Sequence, residues 1–330
     1  LFKLFDFYSL LVFLSLCLVT VLIGAGLSKL YEANSVYQRR FIGLKRNHIQ
    51  VRTMKILVTG NEGMIGSVVE KVLRADGDEV IGFDIASGYN ILNPHQICSA
   101  IVGCDAVVHL AALLGNSSDT PDEIMAVNLL GTWHILTAAA QAKVKRVVFF
   151  SSVDALGIFK GERKPDYLPL DDNHPCYPTT PYAVSKRLGE EMCRYFTDST
   201  GISTICLRPP GVFDEETYDF IISNRQANPD FEWNPFWEYG AFLDVRDAAQ
   251  AARCALHCPN PGHVTLLLCA DDISSAHRTS LELAQSLLPE VDWRGGHEYE
   301  HEPYKPLINT QLAKKVLQWI PRHTWRPRNN

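Results

Sequence analysis

From residue 56 onward, short apolar runs alternate with longer stretches in which apolar residues recur at helical spacing. Ile56–Val58, Glu79–Phe83, Ala106–Leu110, Arg146–Phe150 and Ser203–Leu207 read as strands, each a compact run rich in β-branched and aromatic residues. Ile65–Ala75 and Val127–Ala142 read as helices between them. Strands alternating with helices imply βαβ units and a parallel sheet with both faces covered, an α/β doubly wound architecture. The regularity breaks after Arg208-Pro209-Pro210, where an aromatic and proline-rich stretch from Phe213 to Phe242 carries Trp233, Phe236, Trp237 and Tyr239. A helix over Val245–Leu256 and a strand over Val264–Leu268 then return toward the sheet, and a last helix lies near Leu312–Trp319. The pattern divides the chain into an extension (1–53), a sheet domain (54–207) and a mixed lobe (208–330), with 243–270 rejoining the sheet.

The extension changes the picture at one end. From Phe7 to Leu27 there is no charged residue, and such a stretch as a helix would span about 30 Å. Lys29, Arg39, Arg40, Lys45, Arg46 and Arg52 follow it, which by the positive-inside rule would hold the next domain in the cytoplasm. Yet the first methionine is Met54, at the head of the first predicted strand. Two readings stand: an over-extended reading frame with a natural start at Met54, or a membrane anchor. Both leave the sheet domain cytoplasmic.

Net charge is −6 with the two signs interspersed and no long basic run, so nothing favours a nucleic-acid partner. None of the nine cysteines forms a C-x-x-C pair, and no His/Cys cluster has zinc-like spacing, so no metal is expected. Cys98 and Cys104, or Cys254 and Cys258, read as small buried thiols and not as ligands or disulfides, which favours a reducing compartment.

The chemistry starts at Thr59-Gly60-Asn61-Glu62-Gly63-Met64-Ile65-Gly66, directly after the first strand and opening a helix. Glycines there allow a tight turn and close approach to a pyrophosphate, which the helix N-terminus would hold with unpaired N–H groups. Asp84 ends the second strand, and no Arg or Lys follows it closely. A carboxylate at that place accepts from ribose hydroxyls and repels a 2′-phosphate, so NAD is favoured over NADP. Tyr182 and Lys186 stand four apart in Pro181-Tyr182-Ala183-Val184-Ser185-Lys186 and share one helix face. Thr180 and Pro181 supply an N-cap and a first-turn proline. Alone, such a pair is an ordinary helix surface feature.

Taken together, these segments resemble the extended short-chain dehydrogenase/reductases of the NAD-dependent epimerase/dehydratase type. Beside the glycine turn, His109-Leu110-Ala111-Ala112 resembles the family's H-x-A-A, and Asn128-Leu129-Leu130-Gly131-Thr132 its N-x-x-G-T helix. Ser151-Ser152 resembles the segment of the catalytic serine, Tyr182/Lys186 the Y-x-x-x-K pair, and Leu207-Arg208-Pro209 the L-R-P turn beside the nicotinamide. The matches run from Met54 to about Asp247. The resemblance implies a Rossmann-type sheet with a smaller C-terminal substrate lobe, and a catalytic set of Ser152, Tyr182 and Lys186. Tyr182 would be base in oxidation and acid in reduction, with Ser151 as the alternative to Ser152. It implies NAD contacts from Gly60, Glu62, Gly63, Met64, Ile65, Gly66, Asp84, Asn90, Ile91, Leu110, Ala111, Ala112, Asn128, Tyr182, Lys186 and Arg208. For Asn128 a structural role is expected over a proton relay. A phenolate at pH 7 needs its pKa lowered by about three units, and Lys186 and oxidised nicotinamide have the right sign to do so.

Two departures bear on substrate. Val153-Asp154 follows Ser152, so the Asp-Glu pair of the sugar-nucleotide dehydratases is missing. Gly240-Ala241 stands where nucleotide-sugar epimerases often carry an Arg-Asp that contacts diphosphate, leaving Arg225, Arg246 or Arg253 as substitutes. The expected activity is oxidation of a carbinol on a sugar-like small molecule, as a nucleotide-sugar epimerase or as a dehydrogenase of a non-nucleotide sugar or uronate. A non-catalytic NAD sensor is the remaining reading. Residues 231–239 would either wall a sugar pocket or pack the lobe. By family analogy a homodimer through a helix bundle is expected.

Overall fold

Successive side chains of a strand point to opposite faces of its sheet, and here both sets are apolar. The computed structural model describes residues 53–116, 118–160, 163–233 and 238–326, so the apolar stretch 7–27, Phe236 and Trp237 lie outside the described residues. Strands β1 (Lys55–Thr59), β2 (Glu79–Phe83), β3 (Ala106–His109), β4 (Arg146–Phe150), β5 (Ser203–Arg208) and β6 (His263–Leu267) form one sheet in the order β2-β1-β3-β4-β5-β6. Every pairing is parallel. The bounds expected from the sequence agree within one residue at each end.

Helices α1 (Met64–Ala75), α2 (Pro94–Ala100), α3 (Pro121–Met125), α4 (Gly131–Ala142), α5 (Pro181–Thr200), α6 (Glu215–Ala227) and α7 (Val245–His257) connect them. On one face, Ile56, Val58, Val108, Val148, Ile205 and Leu207 pack against Val69 and Leu73 of α1 and the small residues Ala248, Ala252 and Ala255 of α7. On the other, Leu57, Val107, Val147, Phe149 and Cys206 meet Ile97, Ile135, Leu136 and Cys193 of α2, α4 and α5. Each large side chain buried this way contributes roughly 1.5–3 kcal/mol.

The helix expected over Val127–Ala142 opens instead with a π turn, Ala126–Leu130, continuous with α3. Asn128 lies within this turn and bonds Leu113 and Ser185. Segment 208–330 contributes β6 and α7 to the sheet layers. Much of the rest joins Val153, Leu156 and Leu168 in a separate core that includes Tyr239, Leu267, Cys269 and Tyr299. Among the described residues no helix is long and apolar enough to cross a membrane.

From β1 the chain steps outward to β2, then returns past β1 to place β3 on its other side. Strand order reverses there, which opens a crevice at the carboxyl ends of β1 and β3.

Candidate active site

A cavity of about 950 Å3 occupies that crevice. Gly60, Glu62, Gly63, Met64, Ile65, Gly66, Asp84, Asn90, Ile91, Leu110, Ala111, Ala112, Ser152, Tyr182 and Lys186 all line it. Gly60 has φ of 71°, and a Cβ there would lie 2.7 Å from the Ala111 nitrogen. At Gly66 a Cβ would lie 1.9 Å from the Gly60 carbonyl oxygen. The turn is therefore too close-packed for side chains at either place. Gly63, the N-cap of α1, offers no side-chain cap, leaving the first-turn N–H groups to an anion. Asp84 braces the turn: Oδ2 accepts from the Glu62 N–H at 3.1 Å and Oδ1 from the Ala86 N–H at 2.9 Å. These residues fit a dinucleotide, with a bare backbone cradle for pyrophosphate and a carboxylate beyond it.

A buried hydrogen-bond chain holds the crevice together. The Ala111 N–H donates to Thr59 Oγ1, which pairs with His109 Nδ1 at 2.6 Å. His109 Nε2 meets Thr132 Oγ1 at 3.0 Å, and that hydroxyl donates to the Asn128 carbonyl at 2.6 Å. Because the Thr132 proton is committed there, Nε2 must carry the imidazole hydrogen and Nδ1 accepts from Thr59. Burial, helped by Lys186, lowers the His109 pKa to about 3, so the ring is neutral. Asn128 continues the chain: Oδ1 accepts from the Leu113 N–H, while Nδ2 donates to the Leu113 carbonyl and to Ser185 Oγ. Ser185 Oγ then donates to the Tyr182 carbonyl at 2.8 Å.

Three elements bring the chemistry together. Ser152 caps the 3-10 turn after β4, its Oγ accepting from the Asp154 N–H at 3.1 Å. Tyr182 lies in the first turn of α5, which Thr180 caps and Pro181 opens. Lys186 sits one turn on; its Nζ donates to the Phe150 carbonyl at 2.8 Å and lies 5.7 Å from the Tyr182 ring centre. α5 approaches β4 closely because residue 189 is glycine, where a Cβ would fall 2.7 Å from the Phe149 ring. Burial pushes the Tyr182 phenol well above its ordinary range, Asp154 and Glu238 raise it further, and a hydrogen bond with Ser152 pulls the other way. Burial lowers Lys186 to about 8 against the opposing pull of Glu190. Burial and the two carboxylates thus oppose the phenolate expected from the sequence with Lys186 and oxidised nicotinamide.

Two expected cofactor contacts stand outside the cavity lining. Asn128 is buried in the hydrogen-bond chain just described, in keeping with the structural role expected of it. Arg208 is turned inward, its Nε and Nη2 both 2.7 Å from the Glu190 carboxylate, because a buried guanidinium requires an anionic partner. Pro209 and Pro210 line the cavity instead. Glu190 also accepts from Ser151 Oγ at 2.6 Å, which engages that hydroxyl, while Ser152 lowers the Tyr182 phenol.

None of the three arginines considered as diphosphate anchors lines the cavity. Arg246 pairs with Asp244, Arg253 with Asp76, and Arg225 bonds the Phe231 and Ser274 carbonyls. Among the described aromatic residues of segment 231–239, Phe231 and Trp233 pack on Phe220, and Tyr239 packs on Phe159. These rings fill the lobe. The cavity adds three charged residues that no motif marked, Asp154, Lys160 and Glu238; Lys160 Nζ lies 3.2 Å from Asp154 Oδ2.

A parallel sheet with a glycine turn at its switch point and a Ser/Tyr/Lys group in the same crevice defines a dinucleotide-dependent oxidoreductase fold. Residues 56–266 match the NAD dependent epimerase/dehydratase family, and the chain belongs to that family of extended short-chain dehydrogenase/reductases. A putative UDP-glucose 4-epimerase of Methanocaldococcus jannaschii is 34% identical over 300 residues, covering 81% of this chain and 93% of that protein. A uronate dehydrogenase of Pseudomonas syringae pv. tomato is 28% identical over 231 residues, covering 66% and 75%. A short-chain dehydrogenase/reductase superfamily protein from Agrobacterium tumefaciens, solved with bound NAD, superposes with a TM-score of 0.62 at 25% identity, covering 82% of this chain and 93% of its own. The chain is an NAD-dependent enzyme of this type.

Proposed function

We propose that the enzyme oxidises a secondary carbinol of a sugar-like substrate, with Tyr182 as the acid/base group. The observation that carries this reading is the convergence of Ser152, Tyr182 and Lys186 on the cavity that holds the glycine turn. The substrate hydroxyl would bond Ser152 Oγ and pass its proton to Tyr182 Oη. Lys186 lends the positive charge that favours the phenolate, and its bond to the Phe150 carbonyl fixes its position. Bound NAD supplies the hydride acceptor and, when oxidised, a positive charge of the same helpful sign. Gly60, Gly63 and Gly66 would hold its pyrophosphate, and Asp84 its adenosine ribose.

The likeness to the UDP-glucose 4-epimerase supports a nucleotide-sugar epimerase. The absence of arginine from the described cavity lining supports the alternative, a dehydrogenase of a non-nucleotide sugar, since a diphosphate needs fixed cationic donors. Absorbance at the NADH wavelength during turnover of aldoses, uronates and nucleotide sugars separates the two. Accumulating NADH marks a dehydrogenase, and product without NADH marks an epimerase. Tyr182→Phe is expected to lower turnover by about 10²–10⁴-fold on the true substrate; undiminished turnover would refute the acid/base assignment. We also propose a homodimer through α4, the π turn before it and α5, which leave Leu130, Trp133, Leu188 and Tyr195 exposed.

A further inference from the structure

Glu238 lines the cavity with only 4% of its surface exposed. The backbone that puts it there is unusual. Glu238, Tyr239 and Gly240 have φ of 54°, 52° and 78° in succession, a left-handed run that residues bearing side chains adopt rarely and at a cost. Surrounding bonds hold the run in place. The Tyr239 hydroxyl donates to the Ile158 carbonyl at 2.6 Å, and the Ser274 N–H donates to the Gly240 carbonyl at 2.7 Å. Glu238 Oε2 accepts from the Gly211 N–H, next to the two prolines that also line the cavity.

A carboxylate at this point opposes the chemistry assigned to Tyr182. It disfavours the phenolate, and it is buried by a strained turn to do so. Besides accepting from the Gly211 N–H, it faces the cavity. The cations present do not form a receptor for a substrate anion: Lys186 is bonded to the Phe150 carbonyl, Lys160 is paired with Asp154, and no arginine is in the described lining. A carboxylate accepts up to about four hydrogen bonds, and the hydroxyls of a sugar are donors.

Resting on the reading of this cavity as a carbinol-oxidising site, we propose that Glu238 is its specificity residue. Its carboxylate accepts hydrogen bonds from hydroxyls of a neutral sugar near the reacting carbinol, and it repels a sugar that carries a carboxylate there. The enzyme would then take neutral aldoses or neutral glycosyl groups and reject uronates.

Matched pairs that differ only in that carboxylate test this: galactose against galacturonate, and UDP-glucose against UDP-glucuronate. Binding to the full NAD-loaded chain is read by calorimetry, and initial rates are read beside it. The wild-type protein should prefer the neutral member of the pair it accepts by about tenfold or more. Glu238→Gln should narrow that ratio by about tenfold, chiefly through gain by the anionic member, and should move the acid limb of the rate profile to lower pH. Equal or tighter binding of the anionic member by the wild type overturns the proposal whether or not the variant folds. So does an unchanged ratio in Glu238→Gln, or failure of both pairs to bind. Tyr182→Phe keeps the two questions apart: it should retain the binding preference while losing turnover. A variant that turns over normally yet still prefers the neutral sugar would sink the acid/base reading and leave the selection intact.

Discussion

Replacing Asp154 by Asn removes a negative charge that raises the Tyr182 phenol, together with the carboxylate that pairs with Lys160. Lys160 Nζ lies 5.9 Å from the Tyr182 ring centre, so both changes favour the phenolate. On the role proposed for Tyr182, oxidation needs the phenol deprotonated, and its rate rises as pH passes upward through that pKa. Asp154→Asn should therefore shift the acid limb of the oxidation profile down by roughly one unit, measured from initial rates between pH 5 and pH 10 (about the range these groups span). An unmoved limb would show that Asp154 does not sense the phenol. At this scale the sequence disclosed Ser152, Tyr182 and Lys186, because their spacing and neighbours form motifs. It disclosed neither Asp154, Lys160 nor Glu238 as cavity residues. Their arrival depends on a 3-10 turn and a left-handed run that carry no compositional mark. Arg208 is the opposite case: its motif is present, and a buried glutamate eighteen residues upstream holds it outside the cavity lining.

Among the elements, α5 owes its close seat on β4 to a missing side chain. Gly189→Ala would drive a methyl group into the Phe149 ring, and the helix must shift outward or the ring must turn. The expected cost is about 1–3 kcal/mol of stability, read from denaturant midpoints. A drop in kcat should accompany it, since Tyr182 and Lys186 ride on the same helix. Stability lost without any change in kcat would show that the ring, and not the helix, gives way. The sheet strands were legible within one residue because they are apolar on both faces and bounded by turns. The π turn at 126–130 was not, because the Asn128 bond to Leu113 that accompanies it spans fifteen residues and leaves no periodic trace.

For the whole molecule, the apolar side chains left on α4 and α5 set the expected assembly. Trp133 is 57% exposed and Tyr195 61%. Trp133→Glu should give a monomer by light scattering where the wild-type protein is a dimer, with helix content unchanged; a wild-type monomer would refute the pairing. The hydrogen-bond chain from Ala111 through Thr59, His109, Thr132, Asn128 and Ser185 to the Tyr182 carbonyl runs under the same region. It links the first strand to α5 without using a single charged side chain. The crevice is consequently shaped when the sheet forms, and ordering its walls is part of the free energy of folding. A dinucleotide arriving there meets a finished mould, and its affinity is spared the entropy loss that a loosely built cleft would impose on binding.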